Sequence, residues 1–324
     1  MDDLDPQLLR VLRAVRDSGS ISRAATSLGY SQPAVSQLLS RAERRLGHDL
    51  VLRGGRGATL TASGRVLAEH ALSVEAALTA AREDLEAVGG LARGRVRIAG
   101  FPSASSTLVP SVLATMARVA PGVTTSYVEA EPPEAIDLLR RDEVDVAVTF
   151  TYVGDEVAPD PTLVSRSLGH DPLRLVRPGG TTDPGASAAV GQPVALGSRR
   201  AERVGASDDV VDLASLRDAR WIGGCPRCRG HLLASCATAG FTPRIVLETD
   251  NAAAVLGLVA AGLGVALLPR LALASTVIPS AVAVERVDDV LARRVEVVVA
   301  RGADRVPSIR ATLDAVRGAA TQLG

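Results

Sequence analysis

The stretch SGSISRAATSLGYSQPAVSQLLSRAERRLG, residues 18–47, constrains the fold of this chain more than any other. It follows a first helix expected over about 5–17, whose Leu8, Val11, Leu12 and Val15 form one stripe. A second helix, about 21–28, turns Ile21, Ala24, Ala25 and Leu28 inward. The GYS turn then places Ser31 to cap a third helix over 32–46, where Pro33 is tolerated in the first turn. At about 100° per residue, Val35, Leu38, Leu39, Ala42 and Leu46 share one face of it. Pro33, Ser36, Gln37, Ser40 and Arg44 share the other. Residues 1–60 carry nine arginines and six acids, and only Glu43 of those acids falls between Ser18 and Gly47. A helix face that is small, polar and short of acids can enter the major groove and hydrogen-bond base edges. Two helices across a glycine-containing turn make a helix-turn-helix, although the same pattern suits a solvated helix in an ordinary bundle.

After Thr61, the residues Leu67, Ala71, Val74, Leu78, Ala81, Leu85 and Val88 alternate spacings of four and three, an a/d heptad seam ended by Gly89-Gly90. A narrow seam with charged flanks predicts a dimerisation helix, which would set two recognition helices on two half-sites. Packing on its own domain is the competing use of such a stripe.

From residue 92 onward, strand and helix signals alternate. RVRIAGF, VTTSYVEAE and VDVAVTF read as strands separated by helices, and LRLVRP, WIGG, RIVLETD, AVAVERV and RVEVVVA extend the pattern. A parallel α/β sheet is expected. Such sheets bind ligands beyond the carboxyl ends of strands, here at 101–106, 129–131, 149–151 and 249–251. The Gly/Pro/Ser-rich stretch 177–209 is expected to be a partly mobile surface loop.

With 324 residues, 47% of them apolar, the chain has material for two or three packed domains. Its net charge is zero, so no global field announces a partner. All 36 basic residues are arginine, which excludes a lysine Schiff base and a P-loop lysine. The acidic start MDDLDPQLL has no secretory character, so a cytoplasmic protein with reduced thiols is expected. Residues 252–269 run without a charge, but Gly262, Gly264 and Pro269 favour a buried helix, a break and a short strand over a membrane span. No GxSxG, GxGxxG or zinc-protease spacing occurs, so no enzyme, cofactor or metal is expected.

The N-terminal residues resemble the winged helix-turn-helix of LysR-type transcriptional regulators. Gly19-Ser20, Ala24-Ala25, Ser31-Gln32-Pro33-Ala34-Val35-Ser36, Arg53, Leu60-Thr61 and Gly64 carry the likeness. Gln37 departs from it, standing where the family often has a basic residue, and Ala42 stands where it often has leucine. The resemblance implies an α/β protein with an N-terminal all-α winged helix-turn-helix over 1–61 and a long linker helix over 62–90. A two-lobed effector domain like type II periplasmic binding proteins would fill 91–324, with lobe 1 at about 91–166 and 276–324 and lobe 2 at about 167–275. It implies DNA contacts from Ser31, Gln32, Pro33, Ser36, Gln37, Ser40, Arg41, Arg44, Arg53 and Arg56. It also implies a homodimer or homotetramer, double-stranded DNA and RNA polymerase as partners, and a small-molecule effector between the lobes. Phe101, Pro102, Ser103, Thr149, Phe150, Thr151, Gly224, Cys225, Arg227, Cys228, Thr249 and Asp250 are the expected effector residues.

One motif stands apart. CPRCRGHLLASC, residues 225–236, holds all three cysteines. Cys236 lies eight residues past Cys228, about 12 Å along a helix, too far to join Cys225, Cys228 and His231 around tetrahedral zinc. Its spacing from Leu232 and Leu233 predicts a core residue. Cys225 and Cys228 admit three readings: a glycine-led effector loop whose arginines draw an anion, a redox pair whose thiols Arg227 and Arg229 acidify, or a metal site. A thiol oxidoreductase is the alternative from outside the regulators.

Overall fold

The structure is a computed structural model and describes residues 4–54, 57–88, 93–152, 154–155, 160–179 and 210–323. Arg56, Gly89-Gly90 and most of the Gly/Pro/Ser-rich stretch lie outside them.

Three helices open the chain: α1 (Pro6–Ser18), α2 (Ile21–Ser27) and α3 (Gln32–Leu46). Each start is fixed by a side-chain cap. Asp5, Ser20 and Ser31 accept from the backbone N–H of Gln7, Arg23 and Ala34, satisfying donors that a helix start leaves open. The stripes read from the sequence meet in one core of Leu8, Val11, Leu12, Val15, Ala24, Ala25, Val35, Leu39 and Ala42. A hairpin of β1 (Val51–Gly54) and β2 (Gly57–Leu60) adds Leu50, Val51, Ala58 and Leu60 to it and forms the wing.

The linker is two helices, α4 (Ala62–Glu69) and α5 (Ala71–Val88), which meet at His70. Gly64 is obligatory in α4, because a Cβ there would stand 2.1 Å from the Leu50 carbonyl oxygen. The predicted seam divides at the break. Leu67 packs against the DNA-binding core and Ala71 is buried within the protomer, while Val74 is half-buried. Leu78, Ala81 and Leu85 face out, Leu78 being 45% and Leu85 72% exposed. A second stripe, Leu72, Ala76, Ala80 and Glu83, packs inward.

The remaining elements are β3 (Gly94–Gly100), α6 (Pro102–Ser105), α7 (Leu108–Val119), β4 (Val123–Glu129), α8 (Pro132–Arg140), β5 (Val146–Tyr152) and β6 (Leu163–Pro178). They are followed by β7 (Arg220–Gly223), α9 (Pro226–Thr238), β8 (Arg244–Glu248), α10 (Ala252–Ala260), β9 (Ala266–Pro269) and α11 (Arg270–Ala274), and finally by β10 (Val282–Arg286), β11 (Ala292–Ala300) and α12 (Pro307–Ala319).

The main sheet runs β10-β6-β11-β5-β3-β4, with β9 also on β6. It is mixed, not parallel as expected. Only β3 pairs parallel, with β4 and β5, while β11 runs antiparallel to β5 and β6. The first half of β6 pairs with β11 and the second half with β9 and β10, so this one strand belongs to both lobes. The return to the first lobe therefore falls after β10, at Ala292, and not near residue 276. The small parallel β7–β8 pair completes the second lobe. The uncharged stretch 252–269 forms α10, a left-handed turn at Gly262 and strand β9. Gly264 lets β7 approach, since a Cβ there would meet the Arg220 carbonyl oxygen at 2.7 Å. Among the described residues, no helix is long and apolar enough to cross a membrane.

Candidate functional site

Two sites follow from this architecture. The first is the outer face of α3. Ser31, Gln32, Pro33, Gln37, Arg41 and Arg44 are exposed, and Ser36 and Ser40 are half-exposed. Their polar groups order one another: Gln32 Nε2 donates to Ser36 Oγ at 2.9 Å and Arg41 Nη2 to Gln37 Oε1 at 3.3 Å. Arg53 on the wing donates to Ser40 Oγ at 3.5 Å, so wing and helix present one continuous face. The single acid of this segment is turned away from it. Glu43 Oε1 accepts from the backbone N–H of Leu50 and Val51, at 3.0 and 3.2 Å, and ties the wing to α3. A cationic, acid-free surface of amide and hydroxyl groups is what a DNA groove accepts.

The second site is a cavity of about 340 Å³ between the lobes. Of the expected effector residues, Phe101, Pro102, Ser103, Phe150, Gly224, Cys225, Cys228, Thr249 and Asp250 line it. Thr149 and Thr151 do not: side chains alternate along β5, so Phe150 and Tyr152 face the cavity and the two threonines are buried on the opposite face. Arg227 is also drawn off the lining. It pairs with Asp155 at 2.8 Å, and Arg229 pairs with Glu248 at 2.9 Å, so neither arginine is offered to an anion in the cavity.

Sequence reasoning missed Arg293 and Tyr152 as lining residues; Glu131 lies in the strand end 129–131 that it named, and His231 was named only as a possible metal ligand. Arg293 and Asp171 are directly opposed in the β11–β6 ladder and are 3% and 0% exposed. Arg293 donates to Asp171 Oδ2 through Nε (3.2 Å) and Nη2, and through Nη2 to Ser103 Oγ at 2.8 Å. Its guanidinium lies 4.8 Å from the Phe101 ring centre and 4.4 Å from that of Phe150. Asp171 Oδ1 accepts from the N–H of Leu271, at the start of α11. Asp171 sits on β6, the strand shared by both lobes, and the pair grips one element of each. No motif announces it, because its members are 122 residues apart.

The cysteine motif takes a definite form. Cys225 is the N-cap of α9 and Cys228 lies in its first turn, while Cys236 is fully buried in the core, as its spacing predicted. The Cys225 thiol donates to Cys228 Sγ at 3.0 Å. That hydrogen bond holds the Cys228 thiol down to about 6 against the effect of burial, aided by the Tyr152 hydroxyl and the charge of Arg293. Cys225 is raised for the complementary reason: it keeps the proton that its neighbour gives up. The expected acidifiers, Arg227 and Arg229, are not the cause. Burial pushes Glu131 up to about 7 and lowers His231, whose ring stacks on Tyr152 at 3.8 Å. Glu131 Oε2 is buried without a hydrogen-bond partner among the described residues. Among the described residues, no group of three or more His, Cys, Asp or Glu is placed to hold a metal ion.

A helix-turn-helix with a wing, a linker helix and a two-lobed domain closed around a cavity define a DNA-binding regulator with a ligand-binding domain. Residues 6–65 match the family described as bacterial regulatory helix-turn-helix protein, lysR family, and residues 89–321 match the LysR substrate binding domain. The chain belongs to the LysR family of transcriptional regulators. It is 30% identical over 319 residues to a probable HTH-type transcriptional regulator, LrrA, of Synechococcus elongatus, covering 97% of each chain. Its fold is similar to a full-length OxyR from Pseudomonas aeruginosa, with a TM-score of 0.63 at 20% identity, covering 98% of this chain and 96% of that one. It is also similar to full-length LysG from Corynebacterium glutamicum with bound effector Arg, with a TM-score of 0.60 at 22% identity, covering 98% and 99%.

Proposed function

We propose that the effector of this regulator is a small molecule that occupies the inter-lobe cavity and alters the grip of a dimer or tetramer on double-stranded DNA. The observation that carries this reading is that both lobes line one cavity. Ser103, Glu131 and Phe150 come from the first lobe, and Cys228, Asp250 and Leu268 from the second. A ligand touching both favours one lobe arrangement over another, which is the differential affinity any switch requires. The walls are largely apolar and the arginines of the cysteine loop are engaged elsewhere. The best match is therefore a compact molecule with an aromatic or aliphatic body and few polar groups. The protein acts in the cytoplasm and on RNA polymerase, with α3 and the wing on DNA and Leu78, Ala81 and Leu85 in the dimer seam. Two measurements test this. Full-length protein is expected to prefer its own promoter over random DNA in a salt-sensitive way, and equal binding to both overturns the reading. In a thermal-shift screen, a true effector raises Tm by mass action and changes promoter affinity. Leu85→Arg is expected to dissociate the dimer in sedimentation runs.

A second reading is favoured by one observation, the 3.0 Å contact between the Cys225 and Cys228 sulfurs inside the cavity. On this reading the pair senses the signal by thiol chemistry. A Cys225→Ser, Cys228→Ser double variant that responds to oxidant as the wild type does removes it.

A further inference from the structure

We propose that the inter-lobe cavity is a covalent site, in which Cys228 adds to a carbon electrophile of the quinone class and Cys225 completes its two-electron reduction. The proposal rests on the thiol-sensing reading above and names its substrate class. Five features carry it. The two sulfurs are in hydrogen-bond contact, and both side chains line the cavity. Cys228 stands in the first turn of the 13-residue helix α9, where the helix dipole favours a thiolate. The cavity volume of about 340 Å³ far exceeds what a peroxide needs; about 150 Å³ already holds a benzene. Phe101 and Phe150 supply aromatic walls for a planar ring. Glu131 brings to the same cavity a carboxyl whose Oε2 has no hydrogen-bond partner among the described residues, a proton source for an oxyanion formed there.

The steps balance. The Cys228 thiolate forms an S–C bond to a ring carbon, the C=C pair moves to the conjugated carbonyl oxygen, and Glu131 protonates that oxygen. Cys225 then gives its proton to the Glu131 carboxylate, and its sulfur attacks that of Cys228. The S–C bond breaks, its pair flows into the second carbonyl oxygen, and the hydroquinone monoanion leaves. Two thiol sulfurs are oxidised to a disulfide, the quinone is reduced by two electrons, and Glu131 ends protonated as it began. Cys236 takes no part, being buried in the core.

The test uses full-length protein, 2-methyl-1,4-benzoquinone, and intact and peptide mass spectrometry. Wild type is expected to lose two hydrogens at the Cys225–Cys228 peptide and release one hydroquinone per chain. Cys225→Ser is expected to stop at a stable quinone adduct on Cys228. Cys228→Ser is expected to react at least about tenfold more slowly, and Cys228→Ala serves if the serine variant folds poorly. Glu131→Gln is expected to slow addition about a hundredfold, the scale of general acid catalysis. Addition to Cys228 is expected to rise through about pH 6, where its thiolate forms. The proposal is overturned if Cys225 and Cys228 are modified at equal rates, or if Cys228→Ser reacts as fast as wild type. It is also overturned if hydrogen peroxide forms the disulfide while the quinone leaves both thiols free. Promoter binding measured in parallel separates the two claims. Quinone chemistry at Cys228 without a change in DNA affinity refutes the sensing reading alone. An oxidant response without a quinone reaction refutes this proposal alone.

Discussion

On α3 the polar groups stand in solvent and hydrogen-bond to one another, whereas around the cavity they are buried and held across several strands. Gln32, Ser36, Gln37 and Arg41 are neighbours one helical turn apart, so exchanging one leaves the others in place. Arg293, Asp171 and Ser103 come from two strands and a helix start, and each is buried. The recognition face can change its chemistry without changing the fold. The cavity cannot at Arg293, because that lining residue is also part of the grip between lobes.

The sharpest way to break this contrast is at the buried pair. Arg293→Met is expected to cost about 3–5 kcal/mol in denaturant unfolding, because it leaves Asp171 charged and unpaired in the interior. Adding Asp171→Leu is expected to recover at least half of that. If the single variant costs no more than a surface change, the pair does not hold the lobes. On the other side, Gln37→Ala is expected to weaken promoter binding by about 1–3 kcal/mol through a lost base contact, with Tm unchanged. A fall in Tm of several degrees would show that the face is structural after all. Glu43→Ala should lie between the two classes. It leaves the N–H groups of Leu50 and Val51 unsatisfied, so about 1–2 kcal/mol of stability is expected to be lost along with the wing position.

The smallest effect concerns pH. Folded Glu131 holds its proton up to about pH 7, whereas the unfolded chain releases it near the ordinary value of 4.5. Between these values the unfolded state binds fewer protons, so this group makes stability fall as pH rises. Glu131→Gln is expected to flatten that slope, by of order 1–2 °C in Tm at pH 8, a small figure because the residue is only partly buried. A slope unchanged in the variant places the titration elsewhere.

The helix-turn-helix was legible because a helix writes its faces into the sequence at a fixed period. The reading placed α3 at 32–46 with Ser31 as cap, and the structure has both. The cavity was legible only in part. Strand ends pointed to Phe101, Phe150 and Thr249, and the glycine-led loop to Cys225, all of which line the cavity. Thr149 and Thr151 were misplaced because β5 is buried on both faces, which erases the polar alternation that would have shown which side each residue takes. Glu43 was counted only as the one acid of its segment, and the wing packed against it reveals a backbone acceptor.

What the sequence alone determined is local: helix faces and caps, the break at Gly262, and the separation of Cys236 from the other two thiols. Each is written at a period or spacing that a short segment can hold. Tertiary structure decided the rest. The register of β6 against β11 set Arg293 on Asp171, the salt bridges to Asp155 and Glu248 drew the arginines away from the thiols, and Cys225 itself made Cys228 acidic. Those outcomes depend on distances between segments far apart in the chain, which a hydrophobic period does not encode.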